Sequence, residues 1–192
     1  MTEREKRDAG LLYDAGSDPG LREESRRAKE LCHRYNQLSP ADAEGQRDIL
    51  RQLLGRMGEN CHIYPPFWCD YGSNIELGED FFANHGLVIL DGAKVVFGDR
   101  VFIGPGCGIH TAGHPLDAER RNRWLAFNKP VRIGNDVWLG AGVQVLPGVS
   151  IGDGAVIGAG SVVTRDIPAG WLALGNPCRV VRRIEGPDSK TI

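Results

Sequence analysis

The sequence predicts a mainly β fold, a parallel β-helix of hexapeptide repeats with an N-terminal α-helical cap, and three observations predict it. Val131, Val137, Val143, Val149, Ala155, Ser161 and Ile167 recur every six residues. Glycine stands three places after four of them, at Gly134, Gly140, Gly152 and Gly158. Residues 1–58 lack this beat and carry apolar side chains at helical spacing instead. A six-residue block supplies one short strand and a tight turn. No block can bury its apolar residue alone, so neighbouring blocks must stack into a solenoid. The 26 glycines follow the same beat, as expected where positive φ or close backbone approach excludes a Cβ.

Residues 1–58 make the predicted cap. A short first helix leads through the turn-rich stretch 9–21 into a helix of roughly 21–38, where Ala28, Leu31, Cys32, Tyr35 and Leu38 form one apolar stripe. Ser39-Pro40 reads as an N-cap followed by proline at the first helical position. The helix it opens shows Ile49, Leu50, Leu53, Leu54 and Met57 on one face, and Gly58 marks its end.

Residues 59–185 make the predicted β-helix. Tyr64, Pro65, Pro66, Phe67 and Trp68 read as an irregular first coil on which the cap docks. The beat then runs through Ile75, Phe81 and Leu87, and again through Val95, Val101 and Cys107. A two-residue slip separates Leu87 from Val95, and an inserted loop at about 110–130 interrupts it a second time. In a solenoid such breaks are where loops leave the body and where chemistry tends to sit. The run from Pro168 to Arg183 closes the solenoid, and residues 186–192 form a C-terminal tail.

A formal net charge of -2 over 192 residues argues against a nucleic-acid surface. Five cysteines (Cys32, Cys61, Cys69, Cys107, Cys178) are odd in number, widely spaced and without a CxxC pair. They read as free, mostly buried thiols in a reducing cytoplasm. The charged N-terminus lacks a secretory core, and no apolar run approaches eighteen residues, so a soluble protein without a membrane partner is expected.

Six segments carry a resemblance: Ala9-Gly10-Leu11-Leu12-Tyr13, Cys69-Asp70-Tyr71-Gly72-Ser73-Asn74-Ile75, Phe81-Phe82-Ala83-Asn84, Thr111-Ala112-Gly113-His114-Pro115-Leu116-Asp117, Asn135-Asp136-Val137-Trp138-Leu139-Gly140 and Gly175-Asn176-Pro177-Cys178-Arg179-Val180. In this order they resemble the maltose and galactoside O-acetyltransferases, a branch of the hexapeptide-repeat acyltransferases, and lean toward the maltose type. The resemblance implies a left-handed winding, a homotrimer with active sites between neighbouring prisms, acetyl-CoA as co-substrate, and a sugar hydroxyl as acceptor. A xenobiotic or polysaccharide-precursor acceptor is the alternative within the same class.

The resemblance also implies roles. His114, in a Gly-His-Pro loop where the beat breaks, is the general base of a direct transfer; histidine as a residue type titrates near neutrality. Asp70, Asn84 and Asp91 line the acceptor pocket, since carboxylates and amides bond vicinal hydroxyls. Asp91 also has a turn reading, as Asp-Gly is a common turn pair, and the galactoside enzymes carry a second acidic residue where Gly92 stands. Asp14 is the matching aspartate of the N-terminal segment, with Asp18 an open alternative. Trp138, Ala141, Ala159, Thr164, Arg165, Arg179 and Arg182 match coenzyme A contacts, the two last by charge-assisted bonds to phosphate. Arg183 reads as solvated tail. The backbone N–H of Ala141 is the candidate oxyanion donor.

A reading from another class is a zinc lyase like the gamma-class carbonic anhydrases, with His85, His110 and His114 as ligands. Their spacing does not match that family's pattern, and no metal is expected.

Overall fold

The computed structural model describes residues 1–186, so the predicted tail lies outside the described residues from 187 onward. Three parallel sheets form the three faces of a prism. The first face stacks Arg56–Met57, Ile75–Leu77, Val95–Phe97, Val131–Ile133 and Ser150–Ile151. The second stacks His62–Ile63, Phe82–Ala83, Phe102–Ile103, Trp138–Leu139, Val156–Ile157 and Trp171–Leu174. The third stacks Phe67–Cys69, Leu87–Leu90, Gly108–His110, Gln144–Val145 and Val162–Val163. The strand Arg179–Arg183 folds back antiparallel on Trp171–Leu174 and closes the second face.

The six-residue beat is the inward face of this prism. Val131, Val137, Val143, Ala155 and Ser161 are all fully buried, and so are the residues two places on from three of them, Leu139, Val145 and Ile157. Each block thus sends two side chains inward, and each buried Val, Leu or Ile contributes about 2 kcal/mol of transfer free energy. Successive coils approach so closely at their corners that a Cβ on Gly140 would meet the Ala159 nitrogen at 2.7 Å.

Every irregularity of the beat falls on one edge, between the third face and the first. Phe67 pairs with Leu87 and Ile75 with Val95, so the slip seen after Leu87 recurs one coil earlier, through Asp70 to Asn74. Val95 then pairs with Val131, twice the sequence distance that separates Arg132 from its partner Ser150. The extra chain is the inserted loop. It leaves as the strand Ala112–Gly113, carries the short helix Ala118–Asn122, and returns as Phe127–Asn128 paired antiparallel to the outgoing strand.

The cap has three helices, α1 (Glu3–Asp8), α2 (Pro19–Gln37) and α3 (Ala43–Leu53). The structure moves two expected boundaries. α2 opens two residues earlier, because the Asp18 carboxylate accepts the Leu21 N–H and Pro19 occupies the first turn. α3 is not capped by Ser39-Pro40. That pair forms a turn, with the Asp42 N–H donating to the Ser39 carbonyl, and Asp42 caps the helix by accepting from Gly45. α3 stops at Leu53, short of Gly58, because Arg56–Met57 already pairs with Glu76–Leu77 as the first strand.

α2 docks on the first coil, which is more regular than its prolines suggested. Tyr35 donates to the Ile63 carbonyl, and the Asn36 amide bonds both backbone groups of Phe67, at 3.0 and 2.8 Å. All five cysteines are buried and unpaired by disulfides, with the Cys32 and Cys69 sulfurs 3.6 Å apart. Among the described residues, no helix is long and apolar enough to cross a membrane.

Candidate active site

The irregular edge gathers the first group of expected site residues. Asp91 is fully buried, and its Oδ1 accepts the N–H groups of Asp70 and Tyr71 at 3.0 and 2.9 Å. Its carbonyl accepts from the Asn74 amide at 2.7 Å. Burial outweighs these bonds and pushes its pKa up to about 6. Asp91 therefore clamps the preceding corner and holds Asp70, which is itself half-buried with its pKa raised by desolvation. Lys29 and His110 oppose that shift. The resemblance places Asp91 among the residues lining the acceptor pocket and the Asp-Gly pair reads as a turn; here its buried carboxylate bonds the backbone of the preceding corner, a reach across one coil that no local pattern in the chain records.

The inserted loop is tied to the same corner. The Thr111 hydroxyl donates to the Leu90 carbonyl at 2.7 Å and accepts the Ala93 N–H at 3.0 Å. Buried Asn128 donates to the Tyr13 hydroxyl at 2.8 Å. Tyr13 also bridges Ala126 antiparallel, which lays Asp14 along the loop next to Leu125. Asp14 is half-buried and its Oδ1 accepts the Gly16 N–H, while Asp18 is committed to capping α2. The geometry thus puts Asp14 beside the loop and Asp18 at the head of α2. Gly92 packs against this tie, since a Cβ would meet the Asn128 Oδ1 at 2.2 Å unless that side chain moved.

His114 is exposed on the loop, and its Nδ1 lies 2.9 Å from the Leu125 carbonyl oxygen. A carbonyl only accepts, so Nδ1 is the donor here and Nε2 is the ring nitrogen without a protein partner among the described residues.

The second group lies elsewhere on the prism. Asn84 follows Phe82–Ala83 at the edge between the second and third faces, half-buried, with its Oδ1 accepting the His85 N–H at 2.7 Å. Ala141 and Ala159 are exposed on the same edge, two and three coils above it. The Ala141 carbonyl accepts from Gly160, and no acceptor among the described residues takes its own N–H. Trp138 stands outward on the second face, 48 % exposed, in register with Phe102 and Phe82 below it. Thr164 and Arg165 are exposed on the third-to-first edge of the last full coil, and Arg179 and Arg182 on the closing antiparallel strand.

One chain therefore ties Asp70 to Asp91 at one corner and lays the Asp14 segment along the loop arm that holds His114, and separately aligns Asn84, Trp138, Ala141 and Ala159 along another edge. It does not bring the two groups together. A cavity of about 590 Å³ beneath α1, lined by Arg7, Asn74, Lys94, Asn128 and Arg132 among others, contains none of them.

Within one chain, His85, His110 and His114 do not come together as a zinc donor set. His85 Nδ1 contacts the Pro65 carbonyl, His110 Nε2 lies 2.9 Å from the Gln144 Oε1, and His114 is held by Leu125. Among the described residues, no three His, Cys, Asp or Glu side chains are grouped to hold a metal ion.

Comparison with known proteins agrees with this architecture. Residues 6–58 match the maltose acetyltransferase hexapeptide capping motif, and residues 130–165 match the bacterial transferase hexapeptide family, six repeats. A galactoside O-acetyltransferase of Escherichia coli (strain K12) is 42% identical over 188 residues, covering 98% of this chain and 91% of that protein. The crystal structure of a maltose O-acetyltransferase from Clostridium difficile 630 superposes with a TM-score of 0.94 at 46% identity, over 97% of this chain and 99% of that one. A galactoside acetyltransferase in complex with coenzyme A superposes with the same TM-score of 0.94 at 40% identity, over 96% of this chain and 92% of that one. Helical cap, three-faced hexapeptide solenoid and whole-chain similarity agree: the chain belongs to the maltose and galactoside O-acetyltransferase family of hexapeptide-repeat acyltransferases.

Proposed function

We propose that the protein transfers the acetyl group of acetyl-CoA to a hydroxyl of a maltose- or glucose-type saccharide, with His114 as general base. The observation that carries this reading is the His114–Leu125 contact, which uses Nδ1 as the donor and leaves Nε2 free of protein partners among the described residues, on an exposed loop whose returning arm runs beside the Asp14 segment. Nε2 takes the hydroxyl proton as the oxygen attacks the thioester carbonyl. The tetrahedral oxyanion then collapses, the C–S bond breaks, and the departing thiolate takes the proton from His114 and leaves as the free thiol. A single oxyanion donor is worth about 3 kcal/mol, and the unpaired N–H of Ala141 suits that role. Asp14, Asp70 and Asn84 are the proposed acceptor contacts, with Asp91 fixing the backbone of Asp70. Trp138, Ala141, Ala159, Thr164, Arg165, Arg179 and Arg182 are the proposed contacts of coenzyme A, which is bound in one relative's structure. Holding both substrates in line supplies a large further share of the rate.

The separation of the two groups supports a site shared between copies, His114 from one and Trp138 with Ala141 from the next. The aromatic row Phe82, Phe102 and Trp138, with Phe102 54 % exposed, supports the second face as the contact in a homotrimer. Five buried free thiols are consistent with a reducing, cytoplasmic setting. The test is thiol release from acetyl-CoA across glucose, maltose, galactosides and non-sugar hydroxyl compounds, with the product mass checked for one added acetyl group. Turnover with non-sugar acceptors alone would replace the saccharide reading with the xenobiotic one.

A further inference from the structure

Trp124 breaks a local rule without any packing to show for it. Its backbone lies in the left-handed region, at φ +60°. It follows Arg123, the C-cap of the loop helix Ala118–Asn122, and its N–H donates to the Arg121 carbonyl at 2.9 Å. This is the position where a helix end favours glycine, and where a bulky aromatic is a strained outlier. Buried contacts do not compensate the strain, because the side chain is 79 % exposed. Backbone strain that packing does not explain points to function.

Its place in the chain says which function. Trp124 directly precedes Leu125, whose carbonyl holds the His114 ring. On the outgoing arm, Leu116 follows His114 by two residues and is 97 % exposed. Each arm of the loop thus carries a bare apolar side chain within two residues of the His114–Leu125 contact. A pyranose has a hydroxyl rim suited to Asp14 and Asp70 and a C–H face suited to an aromatic ring, and an indole offers a large, rigid contact with little rotamer entropy to lose.

We propose that Trp124 is a specificity-determining residue that stacks on the C–H face of the acceptor sugar and sets it against His114. This rests on the acetyl-transfer reading above. Polar acceptor contacts discriminate hydroxyl patterns, whereas the Trp124 platform discriminates ring from open chain, so cyclic saccharides are accepted and acyclic polyols are not.

The strain makes the test decisive. Trp124→Gly relaxes the backbone, so the variant should melt at or above the wild-type temperature while losing the ring. With maltose as acceptor, its KM should rise about tenfold or more, with KM for acetyl-CoA unchanged. Trp124→Phe keeps a ring and should restore most of the maltose affinity; Trp124→Asn, tolerant of left-handed φ, should behave like Gly. Sorbitol should be a poor acceptor for the wild type, and the gap between maltose and sorbitol should narrow in Trp124→Gly. An unchanged maltose KM in folded Trp124→Gly overturns the proposal while leaving acetyl transfer intact. A change in assembly mass on Trp124→Gly also overturns it, by placing the ring between copies. If the wild type acetylates no saccharide, the saccharide-acceptor reading falls and this inference falls with it.

Discussion

The imidazole of His114 is held by the carbonyl of Leu125, eleven residues along the chain, at an Nδ1···O distance of 2.9 Å. The contact spans the two arms of the inserted loop, so the position of the base depends on how firmly the returning arm is anchored. That anchor is Asn128, whose amide donates to the buried Tyr13 hydroxyl at 2.8 Å. Asn128→Ala leaves that hydroxyl without its donor and opens a void, at a cost of about 1–3 kcal/mol. Denaturant titration should show this loss, and kcat should fall as the loop loosens. An unchanged unfolding midpoint would mean the tie carries no load.

Asp91 gives the fold a pH dependence of definite sign. Its folded pKa of about 6 lies above the ordinary 3.8, so the folded state holds the proton more tightly than the unfolded state. Its stabilising contribution is fully present below pH 3.8 and is lost as the pH rises through about 6. At about 1.4 kcal/mol per unit, the loss is roughly 3 kcal/mol. Asp91→Asn cannot ionise, and its unfolding free energy should fall less than the wild type's between pH 4 and 7. Parallel curves for the two proteins would contradict the assignment.

The outward row of Phe82, Phe102 and Trp138 is the proposed contact between copies. Sedimentation should give the mass of three chains for the wild type. Phe102→Glu puts a charge in the middle of the row and should yield monomers that keep the helical cap and lose acetyl transfer. A monomeric wild type with full turnover would contradict the shared site.

Arg179 stands exposed on the closing strand, beside the end of the second face. A charge-assisted bond to phosphate is worth about 1.5–3 kcal/mol, so Arg179→Ala should raise KM for acetyl-CoA roughly ten- to a hundredfold and leave KM for the sugar in place. Steady-state kinetics with each substrate varied in turn separates the two effects.

The solenoid was readable because its period is enforced by burial: Val131, Val137 and Val143 have no alternative to the inward position. The cap helices were readable from apolar spacing, but their ends were not, because Ser39 and Asp42 are both competent caps and only the fold shows that Asp42 is used. The corner at Asp70 to Asn74 hid its slip, since a period is visible only against a preceding block and the first coil has none. Asp91 and Asn128 bond partners 17 or more residues away, a relation that no local pattern records. Trp124 carried no signal in the chain, and its interest lies entirely in its backbone angle.

The measurement that bears most directly on the central claim is thiol release from acetyl-CoA with a saccharide acceptor in His114→Ala. Loss of a positioned general base costs about 10²- to 10⁴-fold. The variant should fold, assemble and bind acetyl-CoA as the wild type does, with kcat lower by that factor and KM values little changed. Wild-type turnover in a folded His114→Ala protein would show that another group takes the hydroxyl proton.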